Sequence, residues 1–478
     1  MKGIDIMVRK HRIKKLVKKL LYIIAAIALS FALFLSLGTT LPYISHKKAS
    51  EEIIEAFDER SFYGNKKSTE RIRHITDNKE ALIARLALIN SAKHEIVLTT
   101  FEFFDDESGQ DILSALSEAA ERGVKIRMLV DAYKGNELKN SRFARYLASL
   151  ENTEVKLYNP LKALKPWKAQ SRMHEKYIIA DRQIYLLGGR NTNNRFLGEY
   201  GDKYLSSDRE LLVYTNTPDE TSSVAALYKY FEEYFSHEDC VTLNYHDTSC
   251  ESEIKSRCET LKKLYPEAYT EIDLNELTIP VNKISLVSGQ TVTGNKSPDV
   301  WYQLIELMKT GNNIIIQTPY IMCGKEMYSD LASLSEGRSV SLLINSPFTG
   351  SNTFGNADYL NEREKIYSLG MRVYEHTGDV SHHTKTIVID DRLSIIGSFN
   401  FDMRSAYIDS ELMLVIDSPE LNRELRDELG KYMDSSRMIL PDGTVVRYEG
   451  YEEINPSLPA KLKSYALRAF IPFIRHLI

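Results

Sequence analysis

The chain has 478 residues, of which 43% are hydrophobic and 27% charged, and a formal net charge of −5. That length holds two or three domains of ordinary size with sizeable cores. The charge is uneven: residues 1–19 carry eight Lys and Arg against one Asp, which leaves −12 on the remainder. So acidic a body argues against a nucleic-acid partner, whose binding rests on Lys and Arg neutralising phosphates.

The basic tail, residues 1–19, includes Arg9, Lys10, Arg12, Lys14, Lys15, Lys18 and Lys19. Residues 20–44 follow it without a charge and are almost wholly apolar as far as Gly38. The length predicts a membrane-spanning anchor. The basic flank predicts a cytoplasmic N-terminus and a catalytic body on the extracytoplasmic side of the cell membrane, although Lys47 and Lys48 beyond the span blunt that bias. A cleaved signal peptide is the rival reading; its basic region would be long and its only small-residue exit, Ser36-Leu37-Gly38, is weak.

Residues 80–237 form a first half. Its β-branched and alternating runs fall at 96–100, 124–130, 155–158, 177–180, 184–187 and 211–214. A helix at 111–122 sets Ile112, Leu113, Leu116 and Ala119 on one stripe, and Gly123 ends it. Residues 238–280 are polar and predict a linker with a short amphipathic helix at 254–264. Cys240, Cys250 and Cys258 lie there and Cys323 lies further on, with no C-x-x-C pair and no zinc spacing, so no metal is expected. A disulfide among the three linker cysteines and free thiols both stay open. Residues 281–440 repeat the order of the first half, with runs at 314–318, 340–344, 372–374, 386–389, 393–396 and 412–416 and Gly370 in the place of Gly123. Strands alternating with helices predict an α/β sandwich in each half. The tail, residues 441–478, ends in a basic amphipathic helix. Leu462, Tyr465, Ala469, Phe470, Phe473 and Leu477 share a face, Lys461, Lys463, Arg468 and Arg475 lie elsewhere, and Pro472 should kink it. Such a helix lies on a membrane surface or docks on the body.

Each half carries the same five residue types at the same spacing. His174, Lys176, Asp181, Gly188 and Asn191 are matched by His383, Lys385, Asp390, Gly397 and Asn400. A pattern of that length recurring without a change in spacing is an internal repeat. Imidazole is nucleophilic when neutral and titrates near pH 7, so one His can attack a phosphodiester while a second, protonated, serves the leaving oxygen. His and Lys two residues apart share a face of an extended chain, so Lys176 and Lys385 can stabilise charge on the same phosphate, joined by the amides of Asn191 and Asn400. Asp181 and Asp390 stand an odd number of residues from the Lys and should point away, in a structural role. Glu210 and Glu411, each just before a strand, are the expected orienting carboxylates, with Asp208 a competitor for the place of Glu210. His382 is out of register with Lys385 and is expected to be a bystander.

The duplicated pattern resembles the phospholipase D superfamily, which builds one active site from two His-Lys-Asp motifs in two pseudo-symmetric halves. The stretch GSFNFDMRSAYIDSE, ending at Glu411, is similar to the cardiolipin synthase branch. The resemblance implies two α/β sandwich halves forming one site, no cofactor, and phospholipid substrates at a membrane. It implies a phosphatidyltransferase working through a phosphohistidine intermediate, with His174 as nucleophile and His383 as acid and then base. A hydrolytic phospholipase or other phosphodiesterase, nuclease included, is the alternative, and a non-enzymatic lipid-binding protein is less favoured. By the same resemblance Tyr320, Asn345, Arg404 and Ser405 line or support the pocket. Thr192, Asn193 and Asn194 stand where the second half has Phe401, Asp402 and Met403, so head-group binding should be asymmetric. Oligomeric state is not legible.

Overall fold

Alternating apolar strands build two nine-stranded sheets, one per half, in a computed structural model that describes residues 2–478 except 204, 246, 248, 272, 351, 379, 449, 450, 452, 453 and 455; side chains of residues 2–8 also lie outside the description. In the first sheet the central order is Glu70–Ile75, Glu210–Thr215, Ile184–Gly188, Lys176–Ala180, Glu95–Thr100, Lys125–Asp131 and Thr153–Tyr158. The second sheet repeats it with Lys283–Ser288, Leu412–Asp417, Leu393–Gly397, Thr386–Ile389, Asn313–Gln317, Ser339–Asn345 and Arg372–His376. The strands expected from the sequence therefore form, within a residue or two at their ends, in two pseudo-symmetric halves.

The period of two divides each strand between two cores. Ile96, Leu98, Ile178 and Leu212 face an outer layer with helices Asn78–Ser91 and Glu107–Glu121. Val97, Tyr177, Ile179, Leu211 and Val213 face inward, where they share one cluster with Ile315, Val388, Ile396, Leu412, Leu414 and Ile416 of the other half. The two sheets are thus fused through a common apolar core. After helices Glu107–Glu121 and Thr353–Tyr367, Gly123 and Gly370 take φ of 94° and 87°, a region that glycine enters without a Cβ clash.

Three segments differ from expectation or sharpen it. The presumed linker is part of the first half: Cys240–Thr242 adds an edge strand, and helix Glu251–Leu264 packs Ile254, Cys258 and Leu261 into the first core. The amphipathic helix expected at 254–264 forms, and its apolar stripe is buried in the first half rather than standing in a free linker. All four cysteines are free thiols. At the N-terminus one helix, Lys2–Thr40, is long and apolar enough to cross a membrane, and its apolar stretch is unburied. At the C-terminus helix Leu458–Ile474, with Pro472 inside it, docks on the second half: Arg475 pairs with Asp358 at 2.7 Å and Arg468 with Asn361 at 2.9 Å, while Leu462, Tyr465 and Phe473 stay exposed.

Asp181 and Asp390 sit at the edge of the sheets remote from their motif histidines. Asp181 accepts from the amides of Lys93, His94 and Glu95 at 2.8–2.9 Å, and Asp390 from those of Asn312 and Asn313 at 2.8–2.9 Å. Their own φ values, 52° and 48°, suit Asp better than a branched residue. Each carboxylate ties the turn of its hairpin to the start of the adjacent antiparallel strand. Asp181→Ala should therefore lower stability by about 1–3 kcal/mol, because amides lose a charged acceptor, and leave turnover per folded molecule near wild type. Thermal unfolding in detergent with an activity assay on the folded fraction checks this; lost turnover at unchanged stability would contradict it.

Candidate active site

Both motif histidines enter at the carboxyl ends of the parallel strands, the edge where α/β sheets present loops to ligands. Strand Lys176–Ala180 runs antiparallel to Glu95–Thr100, so its beginning lies beside the end of that strand, and His174 stands just ahead of it. In the second half His383 and Lys385 both precede strand Thr386–Ile389. The His-x-Lys pairs thus lie at strand entrances rather than within strands.

The halves hold each other's histidines. The His174 amide donates to Ser410 O at 3.1 Å, and its Nδ1 lies 2.8 Å from Glu411 Oε1. The His383 amide donates to Ser207 O at 2.7 Å, and its Nδ1 lies 2.7 Å from Asp208 Oδ2. In each case a Ser-acid dipeptide of one half receives the backbone and the ring of the other half's histidine. With Nδ1 committed to a carboxylate, Nε2 is the nitrogen left for chemistry. Phe101 stands edge-on to His174 and Phe196 is tilted against His383, each with ring centroids 5.0 Å apart.

His174, His383, Asn191 and Asn400 line a single cavity of about 300 Å³. Asn191 accepts from the Glu102 amide at 3.1 Å, and the buried Oδ1 of Asn400 has no hydrogen-bond partner within the protein. Lys176 and Lys385 curl back onto the backbone carbonyls of His174 and His383, and Lys385 Nζ lies 3.0 Å from the His383 ring nitrogens. Burial pushes Lys176 down to about 8 against the pull of Glu411 and Glu102. Burial with repulsion from Lys176 pushes Lys385 down to about 7 despite Asp208. Burial, then both lysines, holds His174 well below the ordinary imidazole value, and burial and Lys385 lower His383 to about 3. The acids diverge. Burial lifts Glu411 to about 7, while for Asp208 the opposing effects of His383, Lys385 and Arg190 outweigh burial and hold it well below the usual carboxylate range.

Glu210 is not the partner of a histidine. Both its oxygens are taken by Arg85, at 2.6 and 2.7 Å, on the outer face of the first sheet. Sheet register explains the substitution of Asp208. Gly188 pairs with Glu210 but Gly397 pairs with Met413, so the residue equivalent to Glu411 stands two places before Glu210. Arg404 does not line the cavity: it binds Asp409 at 2.9 Å, Gln170 O at 2.6 Å and Leu477 O at 2.8 Å. Ser405 lies behind the site, donating to Glu411 at 2.6 Å. Tyr320 and Asn345 do line the cavity; Tyr320 donates to Asp402 at 3.0 Å, and Asn345 clamps the backbone of His382 at 2.7 and 2.9 Å.

Sequence reasoning missed Glu102. It lines the cavity, pairs with Lys134 at 3.0 Å and accepts from Asn191 and Asn193 at 3.4 Å. Its counterpart is Tyr320: Thr100 donates to Glu102 O, as Thr318 does to Tyr320 O. An internal alignment of TTFE with QTPY would have exposed the pair. The cavity therefore carries a Glu102–Lys134 ion pair from one half where the other half presents the Tyr320 phenol.

A family model described as "Cardiolipin synthase, PLD-like domain" matches residues 86–237 and 304–433. An uncharacterized protein of Helicobacter pylori is 27% identical over 430 residues, covering 79% of this chain and 82% of that protein. Cardiolipin synthase C of Escherichia coli is 26% identical over 388 residues, covering 72% of this chain and 80% of that protein. The crystal structure of phosphatidylserine synthase from Haemophilus influenzae superposes with a TM-score of 0.59 at 17% identity, over 90% of this chain and all of that one, which shows a shared fold.

The depressed lysines give the site a pH signature. A lysine is charged below its pKa, so affinity for an oxyanion should be full below about 7 and lost as pH rises through about 7 to 8, the values of Lys385 and Lys176. Titration calorimetry with sulfate, whose own charge is constant there, should show that loss, and Lys385→Met should weaken binding and flatten its onset. Affinity unchanged up to pH 9 would contradict the assignment.

Proposed function

The chain belongs to the cardiolipin synthase family with phospholipase D-like domains, and we propose that it is a phosphatidyltransferase acting on phospholipids through a phosphohistidine intermediate. The observation that carries this reading is the pair of histidines in one cavity, each backed by a carboxylate of the opposite half. In the first step His174 Nε2 forms a P–N bond, the P–O bond to the donor's alcohol breaks, and the leaving oxygen takes a proton from His383. In the second, an acceptor hydroxyl gives its proton to His383, its oxygen bonds to phosphorus, and the P–N bond breaks. Lys176, Lys385, Asn191 and Asn400 supply the positive charge and donors for the non-bridging oxygens.

The difference between the two acids supports the division of labour. Asp208 stays ionised and favours an imidazolium at His383 once a phosphodiester anion offsets the lysines. Glu411, raised to about 7, is the weaker counter-charge and leaves His174 neutral, the form that attacks. Two molecules of phosphatidylglycerol fit both steps: one releases glycerol and the other provides the hydroxyl. The apolar helix ending at Thr40, with its basic flank, supports an anchor that keeps this cavity beside its lipid, N-terminus cytoplasmic and body outside.

Incubation of the purified protein with phosphatidylglycerol should yield cardiolipin and glycerol. Phosphatidic acid instead would make it a hydrolase, and no turnover would overturn the enzyme. In the same assay Asp208→Asn should lower turnover roughly a hundred- to ten-thousand-fold, because His383 loses its counter-charge and tautomer control. Glu210→Gln, which leaves Arg85 buried beside a neutral amide, should act mainly on stability. Equal losses of turnover in the two variants would contradict the assignment of Asp208.

A further inference from the structure

We propose that the loop at residues 160–168 is a second membrane contact, docking into the head-group layer of the bilayer from which the apolar N-terminal helix emerges; this rests on the reading of that helix as an anchor. Leu161, Leu164 and Trp167 are 63%, 77% and 43% exposed, although each is large and apolar. They recur every third residue and alternate with Lys162, Lys165 and Lys168. Apolar residues with an interfacial tryptophan, interleaved with lysines, match the boundary between acyl chains and phosphates.

The loop is attached to the helix exit. Gly38, two residues before the helix ends at Thr40, packs on Pro166 so closely that a Cβ would lie 2.4 Å from the proline Cγ. Tyr43, buried just past the helix, donates to the Trp167 carbonyl. From the protein side the loop is braced. Lys162 and Lys168 reach Asp239 at 3.1 and 2.6 Å, and Asn159 donates to the carbonyls of Lys168 and Ser171 at 2.8 and 2.9 Å. Lys168 turns inward onto Asp239, Lys162 reaches the same carboxylate from the surface, and Lys165 is left exposed beside the apolar side chains to meet anionic lipid. Seven residues after Trp167 the chain reaches His174. Docking would therefore fix the height of the cavity above the bilayer, which an anchor helix alone leaves free to tilt and swing.

The chain has two tryptophans, and the other, Trp301, is buried in the second core. The full-length Trp301→Phe protein, reconstituted in phosphatidylglycerol vesicles, isolates Trp167; the difference between wild type and Trp167→Phe gives the same signal without relying on that variant. Lipids brominated near the head group should quench Trp167 by about twofold and those brominated deep in the chain less, as expected for insertion of about 5–10 Å. Leu161→Glu with Leu164→Glu should abolish the quenching and lower turnover of vesicle lipid, with turnover of a water-soluble nitrophenyl phosphodiester unchanged. Retention after an alkaline carbonate wash reports the anchor separately. Protein retained but unquenched overturns the docking loop, as it would for a loop that binds a protein partner instead. Protein released by the wash overturns the anchor and the inference with it.

Discussion

Each reactive imidazole is held by the opposite half, through a Ser-acid dipeptide that accepts its amide and grips its Nδ1. Neither half alone has an oriented histidine. This constraint accounts for features that have no purpose in a single α/β sandwich: the short pairing of Ser206–Ser207 with Ser381–His382, the bridge from Met173 to Ser410, and the apolar cluster shared by both sheets. Buried arginines reinforce the joint. Arg209 reaches Gln317 at 2.9 Å and Thr386 at 2.6 Å across it, and the Arg172 amide is bonded to Asp409 at 3.2 Å. Breaking such bonds leaves buried polar groups unsatisfied, so the joint resists sliding and fixes the register of the site.

The same burial that orients the site makes it electrostatically tense. Two buried lysines next to the motif histidines repel each other and those histidines, and each is pushed toward its neutral form. In the proposed reaction a phosphodiester anion would relieve that repulsion and restore the charge on the lysines.

Much of this was legible in the sequence. The strands announced themselves by alternation, and the repeat of His, Lys, Asp, Gly and Asn located the cavity. What failed did so for physical reasons. Glu210 looked equivalent to Glu411 because each is a glutamate before a strand; hydrogen-bond register, invisible in sequence, shifts the match to Asp208. Arg404 is expected from the resemblance to line or support the pocket, yet carboxylate and carbonyl oxygens of its surroundings absorb its donors. The polar average of residues 238–280 suggests a linker; their amphipathic stripe is legible, but that Ile254, Cys258 and Leu261 pack into the first core is set by tertiary contacts. Glu102 gave no repeat signal because its counterpart is a tyrosine.

In the proposed reaction one histidine, His174, takes the phosphatidyl group while His383 handles protons. This assignment is tested most directly by mixing enzyme with phosphorus-labelled phosphatidylglycerol for less than one turnover, quenching in alkali, where a P–N bond survives, and mapping the label by peptide. The account predicts at most one label per chain, on His174, absent from His174→Ala and, in His383→Ala, formed more slowly but still on His174. Label on His383, or on both histidines at once, would contradict it.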